Sequence, residues 1–506
     1  MKWKIVTIAA CAVLLAAGIG AAVLDQGQPL PHRYLQHEES QQLADLSEED
    51  RAAASSTSTD PATFASHLPV VSIDVGGQTI PDGSVHDDAV QARAAELGVD
   101  PESIAYDDER RTVDASVSVF DSQESANRLS DEPTIESDCT IRVRGNTSRS
   151  YDKKNYMLVL TNPDGTDNDQ PLLGMDSCET WVLHGPAIDK TLIRNYLAYN
   201  IVGEFVASFV PEARFFELFI DGEYKGVYVA IESIKVEEGR LELNEPDQND
   251  VETSYIVAID ERSATDTTLD DFLNYTGRLS NYLEIVYPNE EDLTEERKAA
   301  IEADISAWEK ALFSYDYDTP SHGYWNYFDV DSFVDLYVFN EFVINDDYGA
   351  FSTYLYKDVR GLVTCGPVWD YDNTFDNYTL EVNTDEFYLA QRAWYNMLLK
   401  DERFCEDVID RYRELREGPL SEEHILSYID GAISYLGPAV ERNWSVWEYT
   451  FAEDSYLAPE NRRPLSFSEA IDDLKTFVIE RGDFLDEHIE NLRQYSHESA
   501  VKRYNH

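Results

Sequence analysis

The chain has 506 residues, 43% of them hydrophobic, enough for a large core and, by length, for two to four compact units. Its 31 Tyr, 21 Phe and 8 Trp exclude disorder for most of the chain, since disordered chains lack bulky apolar side chains. With 98 Asp and Glu against 40 Lys and Arg, the net charge of -58 repels DNA, RNA and anionic lipid, and it reads either as a salt-adapted or merely soluble surface or as one that attracts cations and basic protein partners.

Lys2 and Lys4 precede an uncharged apolar run over 5–24. This reads as an export signal, either cleaved near Ala22 or kept as a membrane anchor with the bulk of the chain outside. Cys11 is a weak lipid-attachment candidate, because the apolar run continues for 13 residues beyond it. Residues 25–67 are polar and weakly patterned, which predicts a flexible linker, and the folded part is expected over 68–500.

Structure is expected to begin with the β-branched apolar run at 68–74, turned by Gly76 and Gly77. Alternation at 112–120 puts Val113, Ala115, Val117 and Val119 on one strand face, and further strands are predicted at 140–144 and 156–160. Asp221-Gly222 between apolar runs at 214–220 and 224–231 predicts a β-hairpin. Residues 189–202 read as a helix with Asp189 as its N-cap and Arg194 as an ion-pair partner across a cleft. The period then changes. Thr294 caps a helix with Glu295 and Glu296 in its first turn, and Ile301, Ile305, Trp308 and Leu312 share one face. More helices are predicted at 331–344, 404–415, 421–436 and 466–492. Strands followed by helices make an α+β fold, strand-rich over 68–240 and mostly helical over 241–500. Cys139, Cys178, Cys365 and Cys405 make up to two disulfides in three pairings, or stay as buried free thiols.

The chemistry concentrates in Asn345-Asp346-Asp347, at a predicted helix end, and in Trp369-Asp370-Tyr371-Asp372. The segment between them, 353–368 with Gly361, reads as a β-hairpin, which brings Asp347 and Asp370 together. Two carboxylates at one place require a proton or a cation to offset them. Phosphoryl transfer uses such a pair: one Asp accepts the hydrogen of the substrate hydroxyl and the other holds Mg²⁺ against the phosphates. The plainer alternative is a set of solvated turn aspartates in an acid-rich chain. G-x-S-x-G, H-E-x-x-H and G-x-x-x-x-G-K-[ST] patterns are absent, and His184 alone makes no triad, so it reads as structural.

Several segments resemble the CotH (spore coat protein H) kinase family. They are Arg142-Val143-Arg144-Gly145-Asn146-Thr147-Ser148-Arg149, Lys153-Lys154-Asn155-Tyr156, Leu172-Leu173-Gly174-Met175, Trp181-Val182-Leu183-His184, Asp189 to Asn195, Glu217 to Tyr228, and Trp369-Asp370-Tyr371-Asp372. The resemblance covers about residues 68–420, in order and at compatible distances. It implies an atypical bilobal protein-kinase-like fold and an exported, ATP- and Mg²⁺- or Mn²⁺-dependent kinase acting on Ser or Thr of surface or coat proteins. It implies Asp347 as base and Asp370 as metal ligand, assisted by Asp372. Arg144, Gly145, Asn146 and Ser148 are implied near the phosphates, with Lys154 supplying charge there and Lys153 as the alternate. Position 352, five residues after Asp347, is Ser352 where relatives often carry Asn, and a hydroxyl is a shorter and weaker Mg²⁺ ligand. Glu217 and Glu232 read as structural. Two other functions stay open: a surface binding protein on the same fold, and transfer of a group other than phosphate. A basic, Ser-rich protein is the expected partner.

Overall fold

In the computed structural model the described residues are 30–499 apart from 31, 84–90, 93, 96–97, 99–110, 146, 248–249, 261–266, 277–281, 379–381 and 454–463. The expected export signal and Asn146 lie outside them. Among the described residues no helix is long and apolar enough to cross a membrane.

Alternating apolar and polar residues build the first sheet. Its strands are β1 (Val70–Asp74), β2 (Val113–Phe120), β3 (Ile135–Val143), β4 (Tyr156–Thr161), β5 (Thr180–His184), β6 (Ala213–Ile220) and β7 (Glu223–Glu232). They close into a barrel in the order β1-β2-β3-β4-β5-β7-β6. Neighbours run antiparallel except at the closing seam, where β1 and β6 are parallel with Val70 opposite Glu217. Closure leaves no unpaired edge. Val117, Ile141, Leu158, Trp181, Leu183, Phe216 and Leu218 belong to one apolar cluster of this barrel. The β6–β7 hairpin turns at Asp221 and Gly222, both at positive φ (50° and 75°), as the expected Asp-Gly turn requires.

A second sheet holds β8 (Tyr255–Ile259), β9 (Leu283–Tyr287), β10 (Thr353–Lys357) and β11 (Thr364–Cys365), in the order β11-β10-β8-β9. The longer helices are α1 (Arg194–Gly203), α2 (Glu295–Phe313), α3 (Val330–Val343), α4 (Glu402–Arg416), α5 (Glu422–Leu436), α6 (Pro438–Trp447) and α7 (Phe467–His488). Thr294, Ser421 and Ser466 cap α2, α5 and α7 by accepting from the backbone N–H three residues on. A large core joins Trp308 of α2, Phe333 and Phe339 of α3 and Val257 of β8 to Tyr196 of α1.

The mixed α and β character is as expected, with a strand-rich sheet followed by a helical part. Two expectations need correction, and β8 and β9 were not foreseen. They join the expected 353–368 hairpin in a sheet within the mostly helical half, and β8, buried at every position, shows no alternation to read. The helix after Asp189 starts only at Arg194: the Asp189 carboxylate instead accepts from the N–H of Thr191 and of Arg194 and holds a turn. Residues from 35 onward are folded, where a flexible linker was expected. Gln36 donates from Nε2 to Phe215 O at 3.0 Å and accepts from Phe215 N at 2.6 Å, and Arg442 donates to Ala54 O and Ser56 O. Such contacts come from residues hundreds of positions away, so local patterning misses them. Cys139, Cys178, Cys365 and Cys405 are free and buried.

Candidate active site

Helix α3 ends where Ile344 takes a left-handed conformation (φ 46°) and its N–H returns to Asn340 O. The chain then passes through Asn345, Asp346 and Asp347 in a turn closed by Ala350 N and Phe351 N, both donating to Asp347 O. β10 and β11 follow as an antiparallel pair, with Leu355 opposite Cys365. The chain returns to Trp369 and Asp370, so the expected hairpin is present. Asp347, Ser352, Asp370 and Asp372 line one cavity of about 280 Å³ with Arg144, Gly145 and Ser148.

Helix α1 holds the 369–375 segment. Tyr199 Oη accepts from Asp370 N at 3.1 Å, and Asn195 Oδ1 accepts from Tyr371 N at 2.7 Å. Arg194 donates to Thr374 O and Phe375 O while it pairs with Asp189 at 2.6 Å. Arg194 thus reaches backbone next to the acidic loop and makes no contact across an open cleft. Asp370 itself sits at φ 61°, an uncommon conformation for a side-chain-bearing residue. Asn373 links the two acidic segments, donating from Nδ2 to Asp346 at 2.7 Å and to Asp347 at 3.4 Å.

The opposite wall comes from the end of β3. The Arg144 guanidinium lies 5.3 Å from the centre of the Trp369 ring, a cation–π contact that fixes it beside the acidic loop. Gly145 has φ 104°, and a Cβ there would meet Ser148 Oγ at 2.0 Å, so this turn accepts only glycine. Burial, and then the neighbouring Asp370 carboxylate, push the Asp372 carboxyl well above the usual carboxylate range. Burial and Asp347 push Asp346 up to about 7. Burial pushes the His184 imidazole down to about 4.

The two lysines are placed elsewhere. Lys153 is buried, donates to Val227 O at 2.7 Å and to Asn443 Oδ1 at 2.8 Å, and lies over the Tyr228 ring. Burial drives its ammonium well below the usual lysine range. Lys154 donates to Arg149 O and lies 3.8 Å from Asp82. Neither lines the cavity. Strand β4 begins only at Tyr156, so both lie in irregular chain before it, and the alternation assumed for them does not apply. Glu217 pairs with Arg442 and Glu232 with Arg240, both in structural contacts. His184, Asn195, Tyr199, Asp260 and Asn373 also line the cavity. Nothing in local pattern singled out Tyr199 or Asp260, whereas Asn373 stands directly after the acidic run, His184 was expected to be structural, and Asn195 closed a segment in which it had no role of its own.

The carboxylates fit a divalent cation. A buried acidic group pushed up further by a neighbouring carboxylate is relieved when a metal ion shares the two oxygens. Three carboxylates and one fixed guanidinium around a glycine turn have the chemistry to take a metal-bound polyphosphate. No curated protein matches the chain. A family model described as CotH kinase protein matches residues 141–485, more than half of the chain and every residue that lines this cavity. Membership implies kinase chemistry, with ATP and a divalent metal, in general terms, and the chain belongs to the CotH kinase family.

Proposed function

We propose that the protein is an exported atypical protein kinase that transfers the γ-phosphoryl group of ATP to Ser or Thr of surface or coat proteins. The observation that carries this reading is the convergence of Asp347, Asp370, Asp372 and Arg144 on one cavity. Barrel and helical part then correspond to the two lobes of a kinase. Export rests on Lys2, Lys4 and the apolar run that follows.

Asp370 and Asp372 would hold Mg²⁺ or Mn²⁺, with Ser352 offering a hydroxyl. When bound, the ion neutralises charge on the phosphates. Arg144 supplies fixed positive charge beside them, and Gly145 lets backbone approach. Asp347 accepts the proton of the substrate hydroxyl as its oxygen bonds to the γ-phosphorus and the bond to ADP breaks. Asn373 holds Asp347 in place for that step. The net charge of -58 favours a basic substrate over an acidic one.

A second reading, a non-catalytic binding protein on this fold, draws support from Ser352. The test is transfer of label from γ-labelled ATP, with Mg²⁺ or Mn²⁺, to the protein itself or to a basic Ser-rich protein. Transfer that is lost in Asp347→Asn and in Asp370→Asn supports the kinase. Nucleotide binding without turnover in the wild type favours the binding protein.

A further inference from the structure

His184 ends β5 and lines the cavity, and none of the roles above uses it. Its side chain is buried, with Nε2 3.1 Å from Asn195 Nδ2. The Asn195 amide is oriented by its other atom, because Oδ1 accepts from the backbone N–H of Tyr371 at 2.7 Å. Its Nδ2 therefore faces the imidazole, and an amide NH₂ only donates. Nε2 must accept, which leaves the ring proton on Nδ1. Among the described residues the side chain makes no other hydrogen bond. Nδ1 is not among the sealed, unpartnered buried atoms, as Nδ1 of His67 is, and the cavity that His184 lines is the open space where its N–H can find an acceptor.

Burial keeps this imidazole neutral near pH 7, against the opposing fields of Asp370 and Asp189 and with those of Arg144 and Lys153. A neutral imidazole does not compete with the metal for the carboxylates as a cation would. Its Nδ1–H can only donate to an acceptor. Near Arg144 and Asp370, the acceptor that the nucleotide reading places in this part of the cavity is a phosphate oxygen.

We propose that His184 is a nucleotide-binding residue whose Nδ1–H donates to a phosphate oxygen of ATP, with Asn195 as the positioning residue that selects its tautomer. The proposal rests on the kinase reading of the cavity. It also ties phosphate contact to the metal loop, because one amide holds both His184 and Tyr371.

Asparagine places its amide nitrogen where Nδ1 stands, and glutamine places its own where Nε2 stands. Binding of ATP and of adenosine, with Mg²⁺ present, is measured by calorimetry for the wild type, His184→Asn, His184→Gln and His184→Ala, alongside thermal melting of each. The expected result is that His184→Asn weakens ATP binding by less than about threefold, while His184→Gln and His184→Ala weaken it by about tenfold or more, the value of one hydrogen bond to a charged group. Adenosine, which has no phosphate, binds all four alike. Equal ATP affinity in all four overturns the proposal, as does parallel loss of ATP and adenosine, which marks a packing role. If His184→Ala does not fold, the contrast between the Asn and Gln variants decides. A wild type that binds adenosine but not ATP overturns the kinase reading itself, whereas undiminished ATP binding by His184→Gln overturns only the role of His184.

Discussion

Arg194 Nη1 donates to Asp189 Oδ1 at 2.6 Å, and both side chains are almost fully buried. The same guanidinium reaches Thr374 O and Phe375 O, just beyond the acidic loop. A single ion pair at the start of α1 therefore anchors the segment that carries Asp370 and Asp372. Breaking one partner leaves an uncompensated buried charge, while removing both is far less costly.

Arg194→Met is expected to destabilise the protein by about 3–5 kcal/mol in urea unfolding. The double variant Asp189→Asn with Arg194→Met, which removes both charges and keeps an amide oxygen for the turn's N–H groups, is expected to recover part of that loss. It should still need more Mg²⁺ for transfer than the wild type, because Thr374 O and Phe375 O lose their donor. A double variant as unstable as the single one contradicts this assignment.

Ser352 has φ 45°, in the left-handed region where asparagine is better tolerated than most side chains. Ser352→Asn thus fits the backbone and adds a carbonyl ligand where a hydroxyl now stands. The Mg²⁺ concentration giving half-maximal transfer is expected to fall several-fold in Ser352→Asn and to rise in Ser352→Ala. Identical Mg²⁺ curves for all three would remove position 352 from the metal site.

Burial pushes His37 down to about 4 from 6.5, as it does His184. Below about pH 6.5 the unfolded chain binds protons at these two imidazoles that the folded one excludes, so their contribution to stability is level above that pH and falls as pH drops toward 4. Each imidazole contributes up to about 1.4 kcal/mol per pH unit in this window. His37→Asn removes one share, so its unfolding free energy should fall less steeply between about pH 6 and 4.5. The measurement is chemical unfolding at a series of pH values, and an unchanged slope would mean that His37 is not held neutral.

Much of the fold was legible because its signals are local. Alternation found β2, Asp221-Gly222 found the β6–β7 hairpin, and Thr294, Ser421 and Ser466 marked the starts of α2, α5 and α7. Long-range features were not legible. The parallel seam between β1 and β6 joins strands about 150 residues apart, as the pairing of Val70 with Glu217 illustrates. β8, buried at every position, carries no period. In the site, Asp347 and Asp370 were placed correctly in one cavity because the connecting hairpin was readable. Lys153 and Lys154 were not, since charge alone does not reveal which carbonyls a lysine will find. The tautomer of His184 depends on a backbone N–H 187 positions away, at Tyr371, and no linear pattern encodes it.

The most direct test of two acidic groups with separate duties in one cavity compares Asp347→Asn with Asp370→Asn for both ATP binding and phosphoryl transfer, with and without Mg²⁺. Asp347→Asn is expected to bind ATP with Mg²⁺ about as the wild type does and to transfer nothing, whereas Asp370→Asn loses the enhancement of binding by Mg²⁺. Transfer surviving in Asp347→Asn, or Mg²⁺-dependent binding surviving in Asp370→Asn, would contradict the division of roles.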